Sequence, residues 1–263
     1  MRLLLTNDDS IECFFLHALV HALQKEGHEL CIVAPRHEQS WTGASKSRRR
    51  AVASAREDRG LGCLTWIVDG TPSDCVNIGI AHLLPQSGFL TPDAVISGIN
   101  VGFNASLGFI NASGTIAGAW EGAVHGLPGI AISQDLTFAE FDRLTLAKDG
   151  PSPELRETLN HSAARAAALV PELVATTPRQ SFIVHNVNLP YPCTPAAVVR
   201  RTVPARVIVP ALFSPAADDG THRFVFSLGQ DISPAEPLTD RAAIAAGDIS
   251  HTILDYTRLG TPL

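Results

Sequence analysis

Short apolar runs alternate with segments of helical period along this chain, and that alternation limits the fold more than any other feature. Arg2 to Thr6 reads as a buried strand. Ile11 to Glu26 reads as a helix ended by Gly27, because Ile11, Phe14, Phe15, Ala18, Leu19, Ala22 and Leu23 keep to one face. Glu29 to Ala34, stopped by Pro35, and Trp66 to Asp69 read as the next strands. A helix then follows with Thr71 as cap, Pro72 at its first position and Asp74 closing a capping box. Asp93 to Ser97 is a further buried strand, Thr115 to His125 a helix ended by Gly126, and Gly129 to Ser133 a strand. This repetition predicts an α/β fold: a doubly wound, mostly parallel sheet.

The second half is less regular. Pro153 to Ala175 reads as a long helix and Ser181 to Val187 as a strand. Val207 to Val209 and Arg223 to Leu228 form a hairpin or edge pair on this reading, and Ile249 to Leu254 is a last strand. The Pro- and Ala-rich stretch from Pro210 to Gly220 is the candidate mobile excursion. No linker, repeat or low-complexity tract divides the chain, so residues 1–263 read as one domain. Residues 1–135 are its core and carry the site; residues 136–263 are the less regular part.

A formal charge of −6 gives no reason to expect a nucleic-acid polymer as partner. The one basic run, Lys46 to Arg50, reads as a solvated loop able to attract an anionic substrate. No apolar stretch reaches membrane-spanning length, and the first strand begins at Arg2 with no charged leader before it. The five cysteines, Cys13, Cys31, Cys63, Cys75 and Cys193, are scattered and show no CxxC, so they read as reduced core residues of a cytoplasmic protein.

Ligands of an open parallel sheet gather outside the carboxyl ends of its strands. After the first strand come Asn7, Asp8 and Asp9. After the second comes PRHEQSWTG with hydroxyls at Ser40 and Thr42. After the strand at 93–97 comes GINVGFN with Asn100 and Asn104. Adjacent like charges resist ionising together, and a cation removes that repulsion. Two carboxylates, a hydroxyl and amide oxygens are hard donors suited to Mg²⁺ or Mn²⁺. In NASGTIAGAWEGAVHG, Ser113, Gly114 and Thr115 stand where a loop enters a helix, a position whose free N–H groups bind anions. A dication beside a phosphate cradle points to phosphoryl chemistry.

Each element has a plainer reading. An Asp pair after a strand serves as a cap or turn, Ser-Gly-Thr as an N-cap, and Asn100 and Asn104 as holders of positive-φ turns. The ten histidines show no HExxH spacing. His125 complements a helix C-terminus, and Trp120 and the Phe14–Phe15 pair read as core.

The blocks LLLTNDDSI, IVAPRHEQSWTG, VDGTPSDCV, DAVISGINVGFN and SGTIAGAWEGAVHGLPGIAIS are similar, in order and spacing, to the successive motifs of the SurE family of survival-protein nucleotidases and phosphatases. The likeness continues weakly in HNVNLP and LTDRAAIAAGDISHTIL, and is poor at residues 45–65 and 205–235. The resemblance implies a Rossmann-like, SurE-type fold with a C-terminal β-hairpin extension used in oligomerisation. It implies a homodimer or homotetramer. It also implies a phosphomonoesterase acting on nucleoside monophosphates, a 5′/3′-nucleotidase, or on a related small phosphate ester in a specialised pathway. By motif, Asp8, Asp9, Ser40 and Asn100 are implied as metal ligands. Ser113, Gly114 and Thr115 are implied as the phosphate cradle, with Asn104 close by. Catalysis would rest on Asp8 and Asp9, either through an activated water or through a phospho-aspartate.

The sequence departs from the family's pattern where Ser10 and Trp41 replace Gly and where Arg36-His37 replaces Asp-Arg. Trp41, beside a proposed ligand, is a substrate-pocket candidate: it either stacks on a flat substrate group or turns outward onto a neighbouring loop or subunit. The rival class is a receiver-like phosphorylatable signalling module, which also carries an acidic pair after its first strand. That fold needs a Lys after a late strand, and the lysines here are Lys25, Lys46 and Lys148.

Overall fold

The computed structural model describes residues 1–89, 91–145 and 150–260. The first half runs β1 (Arg2–Thr6), α1 (Phe14–Lys25), β2 (Glu29–Pro35), β3 (Ser54–Arg56), β4 (Leu64–Val68), α2 (Pro72–Ile78), α3 (Leu84–Gln86), β5 (Ala94–Val101), α4 (Leu107–Ala112), α5 (Gly114–Val124) and β6 (Gly129–Gln134). The second half runs α6 (Phe138–Thr145), α7 (Pro153–Ala175), β7 (Ile183–Leu189), β8 (Val199–Thr202), β9 (Val207–Ile208), β10 (Gln230–Asp231), α8 (Asp240–Ala245) and β11 (Ile249–Asp255).

The main sheet has nine strands in the order β3-β4-β2-β1-β5-β6-β7-β11-β8, the expected doubly wound α/β architecture. β1 pairs in parallel with β2 on one side and β5 on the other. The chain winds outward from β1 to β2 and β4, then returns to β5, β6 and β7. The direction of winding reverses between β1 and β5, and a crevice opens there at the carboxyl ends. The antiparallel pairs are β3–β4 at one edge and β7–β11.

Both faces of the sheet are covered. Leu3, Leu5, Ile32, Ile96 and Ile130 pack on one side with Phe15, Leu16 and Leu19 of α1 and Leu159 and Val170 of α7. Leu4, Cys31, Val33 and Val95 face the other side, against Cys75 and Val76 of α2. Each such side chain fully buried contributes about 1.5–3 kcal/mol. α5 lies flush on the sheet because it is lined with small residues: a Cβ on Gly122 would fall 2.5 Å from Val95 Cγ2. That close seat brings the first turn of α5 down onto the end of β1.

Several elements start or end away from their expected bounds for identifiable reasons. α1 begins at Phe14, not Ile11: Ser10 has φ 83°, and the Ile11 N–H donates to Pro35 O at 3.0 Å, so residues 10–13 form a turn. β5 continues past Ser97 to Val101, because after a register irregularity between Ser97 and Asn100 it regains pairing with Ser133 and Gln134 of β6. The capping box of α2 is as expected, with Thr71 Oγ1 accepting from the Asp74 N–H and Asp74 Oδ2 from the Thr71 N–H. The hairpin differs: β9 pairs with β10, not with Arg223–Leu228, which meets the other arm at the Phe213–Phe224 bridge and at Ser214. Pro210 interrupts the first arm, and Pro cannot donate to a ladder.

Candidate functional site

The loop after β1 lays Asn7, Asp8 and Asp9 on the floor of the crevice. Asp8 is buried, and its Oδ1 accepts from the Thr115 hydroxyl at 2.5 Å. Asp9 Oδ2 accepts from the Val101 N–H at 3.0 Å, which ties it to the end of β5. Burial pushes the Asp8 carboxyl up to about 6, against the opposing pull of Thr115. Asp9 is held well above the ordinary carboxylate range by desolvation and then by the charge of Asp8. Neither acid has a cationic side chain in ion-pair contact among the described residues. Asn7 donates Nδ2 to Ser10 O at 2.8 Å, while its buried Oδ1 has no hydrogen-bond partner.

Asn100 stands on β5 beside Val101; its Nδ2 donates to Gly102 O at 2.6 Å, which leaves its Oδ1 as an acceptor. Ser40 lies in an exposed loop and makes no hydrogen bond to either acid; its N–H donates to Glu38 Oε1 at 2.7 Å. The loop is nonetheless tied to the floor by the Gln39 N–H, which donates to Asp8 O at 2.7 Å. Glu38 was not among the expected site residues. Its charge raises both Asp8 and Asp9, and its signal in the sequence was an acid two positions before Ser40.

α5 meets this floor end-on. Ser113 is its N-cap, with Oγ accepting from the Ile116 N–H at 3.1 Å. The Thr115 hydroxyl is committed to Asp8. The Thr115 N–H also draws on the Asp8 carboxylate, so what remains for an anion is the first-turn N–H of Gly114, which has no intrahelical acceptor. A Cβ on Gly114 would fall 2.8 Å from both Cβ and Oδ2 of Asp8, so only Gly lets the helix end rest on the carboxylate. Asn104 is buried nearby, its Nδ2 donating to Ser133 Oγ at 2.9 Å. Positive φ falls at Gly98, Gly102 and Ser106, not at Asn100 or Asn104, so the plain turn reading of the two asparagines does not hold.

The donor set fits a hard cation. It comprises two carboxylates short of countercharge, an unpartnered buried amide oxygen and the free Asn100 oxygen. No group of three or more His, Cys, Asp or Glu side chains gathers among the described residues, so a cation at the crevice also needs amide and hydroxyl oxygens.

The residues around the crevice have other partners. Trp41 turns onto Phe109 and Phe224, at ring-centroid distances of 5.6 Å and 4.9 Å. The basic run 46–50 is largely exposed, as expected, and within it Lys46 pairs with buried Glu121 of α5 at 2.5 Å. Asn77 donates to Glu121, and His125 lies at the end of α5 beside it. Trp120 is half-buried and stacks on Tyr256 at 4.0 Å; Phe15 is fully buried and Phe14 half-buried. All five cysteines are free thiols.

The family model described as Survival protein SurE matches residues 3–208. The chain belongs to the SurE family. A 5'-nucleotidase SurE from Pelotomaculum thermopropionicum is 32% identical over 267 residues, covering 97% of this chain and 90% of that one. The same-named protein of Mesorhizobium japonicum is 36% identical, over 77% of this chain and 71% of its own length. The one from Desulforudis audaxviator is 45% identical over 134 residues, a match spanning only 50% of that relative. Among solved structures, SurE protein from Aquifex aeolicus superposes with a TM-score of 0.68 at 27% identity, covering 97% of this chain and 93% of that chain.

SurE membership removes the receiver-like alternative, and the lysines agree. Lys25 ends α1 and Lys46 is paired with Glu121, while Lys148 lies outside the described residues. It also gives Ser10 and Trp41 a physical meaning. Both stand where the family pattern has Gly, and both have positive φ, 83° and 61°. The backbone asks for Gly at these places and the chain carries a side chain there instead. No helix among the described residues is long and apolar enough to cross a membrane.

Proposed function

We propose that the chain is a divalent-cation-dependent phosphomonoesterase acting on nucleoside monophosphates, with Mg²⁺ or Mn²⁺ as its cation. One observation carries this reading: of two adjacent acids short of countercharge, buried Asp8 touches the first turn of α5 through Thr115 and Gly114, and half-buried Asp9 is tied to the end of β5. The names of its SurE relatives support the substrate class.

On this reading Asp8, Asp9, Asn100 and, after a local loop adjustment, Ser40 hold the cation. A dication at that place supplies Lewis-acid polarisation of a phosphate oxygen and neutralises developing charge. The N–H of Gly114 and the amide of Asn104 orient the non-bridging oxygens, and Thr115 completes the cradle by holding Asp8 at the helix end. Ser113 fixes the helix end by capping it. Trp41, together with Phe109 and Phe224, bounds the side of the pocket where the leaving group would lie.

Residues 1–263 act as one domain, with residues 136–263 joining subunits into a dimer or tetramer. Exposed Ile208, Phe213, Phe226 and Ile232 on the hairpin arms support that role. The free cysteines agree with a cytoplasmic setting.

The deciding experiment is phosphate release from nucleoside monophosphates by chelator-treated protein, before and after adding Mn²⁺ or Mg²⁺. Activity lost on chelation and restored by cation supports the reading. Undiminished activity after exhaustive chelation, or none on any nucleotide, rejects it.

A further inference from the structure

Three buried side chains outside the expected site converge on Asn104. Asn188, on β7, accepts from the Asn104 N–H through Oδ1 at 2.7 Å, and its Nδ2 donates to Asn104 O at 3.4 Å. Asn186, two residues earlier on the same strand, donates Nδ2 to the same carbonyl at 2.8 Å. Ser133, at the end of β6, accepts from Asn104 Nδ2 at 2.9 Å. Asn186, Asn188 and Ser133 are fully buried, and Asn104 is 7% exposed.

Burying three amides costs several kcal/mol unless their polar groups are paired, and here Asn186 Oδ1 has no hydrogen-bond partner. Asn188 spends both ends of its amide on the peptide groups of one residue. A buried network of this kind holds its members in one geometry. It grips the backbone of Asn104 on both sides and the side chain at one N–H. The Asn104 amide keeps a second N–H, and Ser133 fixes the plane in which it lies. Asn186 and Asn188 alternate along β7 at period 2, so both point to one face of the sheet.

We propose that Asn188, Asn186 and Ser133 are positioning residues: they set the amide of Asn104 for contact with the phosphate of the substrate, acting from the carboxyl ends of β6 and β7. This rests on the reading of Asn104 as a phosphate contact. None of the three need touch substrate or cation.

The test measures two affinities separately in the full chain: Mn²⁺ by titration calorimetry, and inorganic phosphate by calorimetry on the Mn²⁺-loaded protein. Ser133→Ala frees the Asn104 side chain without touching its backbone bonds. Asn188→Leu removes both backbone bonds, and Asn188→Asp keeps the acceptor for the Asn104 N–H. Ser133→Ala and Asn188→Leu are expected to weaken phosphate binding by roughly tenfold, the scale of one charge-assisted hydrogen bond. Asn188→Asp should retain more affinity than Asn188→Leu. In all three, Mn²⁺ affinity should stay within about twofold of wild type, and KM should rise more than kcat falls.

Asn104→Ala separates the two ideas. If Asn104→Ala weakens phosphate binding but Ser133→Ala and Asn188→Leu do not, the positioning proposal falls and the phosphate reading stands. If Asn104→Ala binds phosphate as wild type does, both fall. Should Asn188→Leu fail to fold, Ser133→Ala decides the matter alone. Equal loss of Mn²⁺ and phosphate affinity would mark a general collapse of the site and overturn the proposal.

Discussion

The hydroxyl of Thr115 donates to Oδ1 of Asp8 at 2.5 Å, so the end of α5 and the end of β1 are joined by one hydrogen bond inside the crevice. A change at Thr115 therefore reaches the carboxylate as well as the helix end. Thr115→Val should lower cation affinity and phosphate affinity together, by about 1.5–3 kcal/mol in kcat/KM. Thr115→Ser, which keeps the hydroxyl, should restore most of it. Steady-state kinetics with cation titration checks this, and a Val variant with wild-type cation affinity would separate the two ends.

Gly114→Ala tests the contact beside it. Its methyl would stand 2.8 Å from Asp8 Cβ, closer than such atoms pack, so Asp8 must move. Turnover should drop by about two orders of magnitude, as for other displaced catalytic groups. Circular dichroism and Tm should change little.

Desolvation and then the charge of Asp8 make an ionised Asp9 costly in the absence of a cation. Asp9→Asn should therefore raise the Tm of chelator-treated protein, by about 2–4 °C for each kcal/mol of repulsion removed. The same change should abolish both activity and the Tm increase that Mn²⁺ gives the wild type. Scanning calorimetry with and without cation reads both effects; a lower Tm without cation would mean that Asp9 is stabilised by a partner.

Ser10 and Trp41 occupy positive-φ backbone at 83° and 61°. A non-Gly residue there costs about 1–2 kcal/mol, and Gly returns roughly 0.4–1 kcal/mol of that to the unfolded chain. Ser10→Gly should thus stabilise by a few tenths to about 1 kcal/mol in urea melts. Trp41→Gly relieves the same strain but gives up its contacts with Phe109 and Phe224. Its decisive measurement is kcat/KM for nucleotides against small sugar phosphates. A changed ranking marks Trp41 as a pocket wall, and an unchanged one leaves it to packing.

A buried histidine pair predicts a pH dependence of stability. His185 Nδ1 and His251 Nε2 are 2.8 Å apart, and His185 Nε2 lies 2.5 Å from Thr177 Oγ1. Burial, with Arg201 nearby, lowers His185 to about 4; burial, then His185 and Arg201, lower His251 to about 4. Because the folded values lie below the unfolded value of 6.5, the unfolded chain binds more protons between these limits. The contribution to stability is therefore complete above pH 6.5 and is lost as the pH falls towards 4. Melts at saturating Mn²⁺ should show Tm falling over that window, and His251→Gln should flatten the fall.

Parts of this architecture were legible in the residues. Thr71-Pro72-Ser73-Asp74 specifies its helix start by local chemistry, and Pro153 marks the start of α7. Asp8 and Asp9 stood out because like charges rarely end a buried strand without reason. Glu38 was harder to find, since loops have no period to show which acids face inward. Asn186 and Asn188 lie in HNVNLP, where the family likeness is weak, and their convergence on Asn104 depends on pairing between distant strands. The three-residue β3 and four-residue β8 are too short to show alternation. The left-handed backbone at Ser10 and Trp41 is hidden by the side chains that occupy it.

The central place of β1 in the sheet has a consequence for how the protein is made. Asp9 is bonded to Val101, 92 residues later, Asp8 to Thr115, 107 residues later, and the grip on Asn104 waits a further 84 residues for Asn188. A ribosome releases the two acids first and the groups that orient them much later, at about 5–20 residues per second. During that interval an apolar strand, destined for the middle of the molecule, can pair with β2 on one side but still lacks β5 on the other. Such chains depend on whatever shields the nascent strand, and the rate of elongation past β7 becomes a determinant of yield.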